Sequence, residues 1–216
     1  MAYQINNIKD EILLIENIVP ESFQNAILER VQGVHHFPWF LLHRIGHPDH
    51  YVAGTAPNYV DPNITDDVGF FHMAFDGNVT SAHYDFFRPI LDFFAEKTNI
   101  GVGPLLRIRL RYTHKGQGHT DFKYAAPHVD FNTGHPYSTL VYYVNDCDGD
   151  TIIFDKIFNP AEEIYDPVFA EPLPELLRVT PKQGAGLFFN GHRYHAGNYP
   201  ITKSSRIVIN FDFETL

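Results

Sequence analysis

The chain has 216 residues, of which 44% are hydrophobic and 19% are charged, so its length and composition predict one globular domain and exclude a disordered chain. Its net charge of −10 argues against nucleic acid as a partner, and the sequence has no apolar run long enough to span a membrane. The single cysteine, Cys147, excludes an internal disulfide and a thiolate zinc site. It is typical of a reducing compartment, and because residues 1–19 do not resemble a signal peptide, we expect a cytoplasmic protein.

The first half of the chain predicts one strand, two helices and long loops. Residues 11–19 (EILLIENIV) form the predicted opening strand. A helix is predicted over 20–33, because proline is favourable in a first helical turn and apolar residues then recur with helical spacing. Residues 34–82 are predicted to be loop-rich, with scattered aromatic residues that could cover a substrate. A second helix is predicted from Asp85, with Pro89 tolerated only inside its first turn.

After Gly101 the pattern changes to strands. Aliphatic residues alternate with three arginines over 105–112, which places the two kinds of side chain on opposite faces of a strand. Helices followed by many strands predict a mainly β barrel or sandwich with the helices packed outside it. The further predicted strands are 137–145, 151–155, 186–190 and 206–213.

A metal site is predicted from His128, Asp130 and His195. Alternate residues of a strand project from the same face, so His128 and Asp130 can supply two ligands from one strand. Two imidazoles and one carboxylate are the ligand set of non-haem Fe(II) oxygenases, which leaves positions on the metal open for other molecules. His195 is chosen as the third ligand because Gly191 and His192 have the character of a turn, after which the chain returns as a strand.

Two alternatives to this ligand set remain open from the sequence. His119 and Asp121 form a second His-x-Asp triplet, although the surrounding segment has the polar character of a loop. His192 lies close enough in sequence to replace His195. The histidines of residues 43–50 are predicted to lie in a polar loop near the site, because a glycine and a proline interrupt the helix that a zinc site would need.

Arg206 is the predicted anchor for an anionic ligand. It begins the alternating strand 206–213 and shares a face with Val208 and two polar residues. If that face points into a polar barrel interior, the guanidinium can bind a carboxylate through two parallel hydrogen bonds.

Taken in order, these segments resemble the Fe(II)/2-oxoglutarate-dependent oxygenase superfamily, and within it the prolyl-4-hydroxylase-like branch. The resemblance implies a double-stranded β-helix, or jelly roll, with flanking N-terminal helices. The matching text is RYTHKG (111–116), PHVD (127–130), YSTLVYYVND-x-DGDTIIF (137–154), KQGAGLFFNGHRYHAG (182–197) and RIVINFDF (206–213).

The resemblance also implies the cofactors and the roles of individual residues. Iron would be bound by the three predicted ligands, and 2-oxoglutarate would chelate it through its keto acid end, with ascorbate as a possible reductant. The distal carboxylate of 2-oxoglutarate would pair with Arg206 and accept a hydrogen bond from Tyr143, and Tyr112 would line the cosubstrate pocket. The chain would form one domain over 1–216, with a helical and loop-rich support (1–104) and a β-helix core (105–213).

The activity expected from the resemblance is hydroxylation of a C–H bond in a peptidyl or small-molecule substrate, with release of succinate and carbon dioxide. Retention of Asp130 favours hydroxylation over halogenation, because halogenating relatives lose this carboxylate. The family's Arg-x-Ser pairing is absent, since Val208 follows Arg206. The alternatives are oxidative demethylation of nucleic acid, which the acidic composition weakens, and a non-catalytic module that binds a metal or ligand.

Overall fold

The computed structural model describes residues 4–9, 12–33, 36–42, 68–115, 124–163, 169 and 171–216, and this part of the chain contains eleven strands and three helices. In chain order they are β1 (Ile5–Lys9), β2 (Ile12–Ile15), α1 (Glu21–Gln32), β3 (Phe40–Leu42), β4 (Gly69–Phe75), α2 (Tyr84–Phe87), α3 (Pro89–Thr98), β5 (Val102–His114), β6 (Ser138–Tyr143), β7 (Thr151–Ile157), β8 (Glu175–Val179), β9 (Gly186–Asn190), β10 (Arg193–Gly197) and β11 (Ser205–Thr215).

The strands form two antiparallel sheets. The larger sheet has the order β1-β2-β9-β6-β11-β5-β4-β3, and the smaller has the order β10-β7-β8. The two sheets face each other, because Tyr143 and Val208 of the larger sheet share a hydrophobic cluster with Ile153 and Val179 of the smaller one. The predicted mainly β, jelly-roll class is confirmed.

The outer face of the larger sheet is covered by helices. Ile27 of α1 and Phe94 of α3 are completely buried in one cluster with Leu110, Leu140 and Ile209 of the sheet. Each inaccessible side chain of this size contributes roughly 1.5–3 kcal/mol through removal of apolar surface from water. This packing leaves the opposite, inward face of the sheet for the polar residues of β5 and β11.

The helices lie close to their predicted positions, with two differences in detail. Pro20 is the N-cap of α1 and not its first helical residue. The predicted second helix is divided at Arg88 into α2 and α3, and Pro89 begins α3. A proline cannot donate a backbone hydrogen bond, so it is accommodated where a helix starts. No helix in the described residues is long and apolar enough to cross a membrane.

Three strand predictions were wrong. Only Ile12–Ile15 (β2) of the predicted opening strand 11–19 is a strand, and it forms a hairpin with β1, which precedes it and was not predicted. The predicted loop region includes β4, which pairs with β3 and β5 and places its aromatic residues in the sheet. The short strand β8 was also missed. β2 and β4 also pair with strands far away in the chain, β9 and β5, and a local pattern does not reveal such pairing.

Candidate functional site

His128, Asp130 and His195 converge between the two sheets. One possible ligand atom from each side chain lies within 4.8 Å of the other two. The backbones of His128 and His195 form an isolated bridge, with both N–H···O=C hydrogen bonds at 3.0 Å. The prediction that His128 and Asp130 share a regular strand was wrong, because Asp130 lies in a bend after the bridge. The bridge to His195 of β10 holds the segment of His128 in place, although this segment forms no strand.

The hydrogen bonds of both imidazoles direct their Nε2 atoms towards the centre of this group. His128 Nδ1 lies 3.0 Å from the carbonyl oxygen of Ala126, and His195 Nδ1 lies 3.1 Å from that of Arg193. A carbonyl can only accept, so each Nδ1 donates, and in the neutral imidazole Nε2 is then the nitrogen that carries a lone pair. This arrangement of metal-binding histidines is the usual one, since the outer hydrogen bond sets the tautomer.

Two of the converging atoms are buried and lack hydrogen-bond partners. They are Asp130 Oδ2 and His195 Nε2, which lie 3.5 Å apart. Buried polar atoms are rarely left without a partner, because the loss of hydration costs about 1–3 kcal/mol. A divalent cation bound by these atoms and by His128 would satisfy all of them. The donor set therefore fits a metal ion.

A network behind Asp130 holds this carboxylate in its charged form. Arg107 forms ion pairs with Asp130 Oδ1 and, at 2.9 Å, with Asp212 Oδ2. Thr139 donates a hydrogen bond of 2.8 Å to the other oxygen of Asp212. Burial alone would raise the pKa of Asp130, but Arg107 and the neighbouring His195 hold that pKa well below its usual range. Burial and the charge of Asp130 raise the pKa of Asp212 to about 7.

The charge state of His128 also favours a metal. Burial, together with the neighbouring His195, lowers the pKa of His128 to about 3. The imidazole is therefore neutral at physiological pH, and the neutral form is the one that binds metal ions.

A cavity opens directly beside His128 and His195, between the inward faces of the sheets. Side chains of β5 and β11 form one wall of the cavity. They share this wall because residues paired across adjacent strands project from the same face. The polar residues that line it include Arg111, Thr113, His128, Thr151, His195 and Arg206.

Arg206 lies in this cavity, and its guanidinium is held in one orientation. Nε donates a hydrogen bond of 2.8 Å to the carbonyl oxygen of Gly149, and Nη2 donates one of 2.8 Å to Thr151 Oγ1. Tyr143 donates to the same hydroxyl at 2.9 Å. A side chain at Gly197 would place its Cβ 3.2 Å from Nη1 of Arg206, so the glycine leaves space beside this nitrogen. The site can thus present Nη1 to an anion without further reorganisation.

The structure places the two predicted tyrosines very differently. Tyr143 is fully buried next to Arg206, and burial raises its pKa to about 12. Tyr112 is not brought to this cavity. Its ring packs at 5.6 Å from Trp39 and 5.9 Å from Phe70, on the other face of β5. Because side chains alternate along a strand, Arg111 occupies the inward position that was expected for Tyr112.

The alternative ligands are resolved as far as the structure describes them. His192 lies in the predicted turn, and its Nε2 is 2.9 Å from the carbonyl oxygen of Thr133, away from the three converging residues. The triplet of His119 and Asp121 lies outside the described residues, as do the histidines of 43–50.

No role was predicted for Arg107, Arg111 or Asp212 from the sequence. A usable signal was present, because arginines alternate with aliphatic residues along a strand long enough to lie inside a sheet. Three positive charges on such a strand require anions nearby. Asp212, on the strand that pairs with it, supplies one of those anions.

Comparison with solved structures gives the fold but no close relative. No family model matches the sequence, and no curated protein matches it significantly. The epimerase SnoN from nogalamycin biosynthesis, a non-heme alpha ketoglutarate dependent enzyme, is 12% identical with a TM-score of 0.58, covering 95% of this chain and 79% of its own. A 2OG-Fe(II) oxygenase family protein from Burkholderia pseudomallei is 11% identical with a TM-score of 0.57, covering 94% and 84%.

A prolyl hydroxylase from Trichoplax adhaerens, solved with a peptide fragment of hypoxia inducible factor, is also similar. It is 12% identical with a TM-score of 0.55, and the match covers 94% of this chain and 83% of that one. The chain therefore has the jelly-roll fold of the 2OG-Fe(II) oxygenases, and the predicted resemblance is confirmed at the level of the fold.

Proposed function

We propose that the protein is an Fe(II)- and 2-oxoglutarate-dependent dioxygenase of the prolyl-4-hydroxylase-like branch. One observation carries this proposal: two imidazoles and a carboxylate converge with buried, unpaired ligand atoms at a cavity that also contains an oriented arginine. His128, Asp130 and His195 would hold the iron. Arg206 would bind the distal carboxylate of 2-oxoglutarate, and Tyr143 would support it.

The structural neighbours supply independent support. SnoN has been solved in a complex with Fe3+ and alpha ketoglutarate, and that structure has a TM-score of 0.55 to this chain at 12% identity. The present chain has the same kind of fold and brings together two imidazoles and a carboxylate that would hold iron.

The chemistry that the bound iron and cosubstrate supply is oxidative decarboxylation coupled to oxidation of a C–H bond. One atom of dioxygen enters succinate as carbon dioxide leaves, and the other forms the hydroxyl group of the product. The oxidation of 2-oxoglutarate and that of the substrate supply two electrons each, and dioxygen accepts all four. Ascorbate would therefore serve only to restore iron that has become oxidised. We expect a small molecule or a peptide as the substrate.

The residues of the chain would bind, orient and exclude water. Arg107 keeps Asp130 ionised and fixes one of its oxygens, which leaves the other for the metal. Thr151 and Gly149 hold the guanidinium of Arg206 in place. We further propose that residues 1–104 act as a support for the 105–213 core within one domain, since α1 and α3 cover the outer face of the sheet that carries the site.

The proposal is tested by anaerobic addition of Fe(II) and 2-oxoglutarate to the metal-free protein. We expect a visible charge-transfer band that is absent in His195→Ala and unchanged in His192→Gln, a matched histidine outside the converging group. Exposure to air should then release succinate. If neither the band nor succinate forms in the folded wild-type protein, the proposed function is wrong, and a non-catalytic binding module is favoured.

A further inference from the structure

The inward face of β5 carries more positive charges than the nearby carboxylates of the described residues neutralise. Arg107, Arg109 and Arg111 alternate along the strand and therefore project to the same side. Both carboxylates that face this interior in the described part of the chain, Asp130 and Asp212, are bound to Arg107. Arg109 and Arg111 have no carboxylate partner among those same residues.

The two remaining arginines carry buried nitrogen atoms without hydrogen-bond partners. These atoms are Nε of Arg109 and Nη1 of Arg111. The guanidinium of Arg109 lies 5.5 Å from the centre of the Phe71 ring, a contact that stabilises a cation but does not neutralise it. Buried N–H groups of a cation are costly to leave unpaired, so this pair of arginines is prepared for an anion that the described chain does not supply.

The position of Arg111 separates it from the anchor proposed for 2-oxoglutarate. Arg206 pairs with Thr113 across β11 and β5, whereas Arg111 pairs with Val208, two residues further along. Two residues of a strand span roughly 7 Å. Arg111 also lines the cavity beside His128. It therefore lines the same cavity as His128 and His195, from a backbone position one strand repeat away from that of Arg206.

The site would also keep an excess of positive charge with a metal ion and 2-oxoglutarate bound. Four guanidinium groups (Arg107, Arg109, Arg111 and Arg206) face the interior against the two carboxylates of Asp130 and Asp212. A divalent metal ion and the dianion of 2-oxoglutarate cancel each other. At least two positive charges then remain in a partly buried site, where they attract anions strongly.

We propose that Arg111, assisted by Arg109, binds an anionic group of the primary substrate, and that this substrate is a carboxylic acid. This inference rests on the proposed function and narrows its substrate class. A guanidinium binds a carboxylate through parallel hydrogen bonds and so orients it as well as attracting it. The same feature disfavours a neutral peptide segment as the substrate.

The experiment follows the side-chain Nε–H signals of Arg109, Arg111 and Arg206 by NMR in the full chain. The protein is loaded with Zn(II) and saturated with 2-oxoglutarate, and the signals are assigned with single Arg→Gln variants. Acetate is then titrated as the probe, with acetamide as its neutral match. We expect acetate, but not acetamide, to shift the Arg111 and Arg109 signals saturably while the Arg206 signal stays in place. Arg111→Gln should weaken acetate binding about tenfold.

Three results would overturn the assignment. The first is an equal response of the arginine signals to acetate and acetamide. The second is a saturable acetate-induced shift of the Arg206 signal in the double variant Arg109→Gln/Arg111→Gln. The third is a loss of 2-oxoglutarate affinity in Arg111→Gln as large as that in Arg206→Gln, which would assign Arg111 to the cosubstrate. Should Arg111→Gln not fold, Arg111→Lys keeps the charge without the fork and should bind acetate about threefold more weakly than wild type.

Failure of the proposed function would look different. In that case Zn(II)-loaded protein would not bind 2-oxoglutarate, and Arg206→Gln would change nothing. Acetate titration of the metal-free Arg206→Gln protein would still report on Arg111 and Arg109. The two inferences can therefore fail separately.

Discussion

Replacement of Arg206 by glutamine should weaken 2-oxoglutarate binding far more than metal binding. Two of the guanidinium nitrogens are occupied by Gly149 and Thr151, which leaves Nη1 beside Gly197 to meet a carboxylate. A hydrogen bond to a charged group contributes about 1.5–3 kcal/mol, and the loss of the buried charge adds to it. We expect a total loss of about 2–4 kcal/mol, which is a roughly 30- to 1,000-fold increase in Kd.

Calorimetric titration of 2-oxoglutarate into Zn(II)-loaded protein measures this change, and titration of Zn(II) in its absence measures the metal affinity. The metal Kd should change by less than about threefold, because Arg206 is not among the converging ligand residues. Arg88→Gln, which removes a partly exposed arginine paired with Asp92, serves as the matched control. Equal losses of both affinities, or an unchanged 2-oxoglutarate Kd in a folded variant, would refute the reasoning.

Three further predictions concern the residues around this anchor. Tyr143→Phe removes the hydrogen bond to Thr151 and should weaken 2-oxoglutarate binding about three- to tenfold, whereas Tyr112→Phe, on the other face of β5, should leave it unchanged in the same titration. Arg107→Met leaves two buried carboxylates without their cation and should lower the free energy of unfolding by roughly 3–5 kcal/mol in urea denaturation; a loss below about 1 kcal/mol would contradict the role given to this ion pair. The pKa of His128 is lowered to about 3 in the folded protein. As the pH falls below about 6.5, the ordinary pKa of histidine, this imidazole is therefore protonated in the unfolded chain before it is protonated in the folded protein. Its contribution to the stability of the metal-free protein is therefore complete above about pH 6.5 and is lost towards pH 3, with a slope of at most about 1.4 kcal/mol per pH unit that should flatten in His128→Gln.

The alternation of apolar and polar residues predicted the strands whose two faces differ in polarity. The alternation of LLRIRLRY and RIVINFDF indicated two-sided strands, and both are long strands at the centre of the larger sheet. The division of the second helix at Arg88 and the strand β4 within a predicted loop region were not predicted. The helix divides because Pro89 cannot donate a backbone hydrogen bond and so begins α3. The strand β4 takes its conformation from pairing with β3 and β5.

The sequence by itself determined which residue types were available for the site: a His-x-Asp pair, a later histidine after a turn and an arginine at the start of a strand. It could not decide which face of each strand points into the barrel, because the alternating pattern of β11 fits a polar face in water as well as a polar face in the barrel interior. Only the tertiary structure placed Arg206 in the cavity, turned Tyr112 away from it and put Arg111 in its place. The physical reason is that a shift of one residue in a strand reverses the face of every side chain, and register is set by pairing with strands far away in the chain.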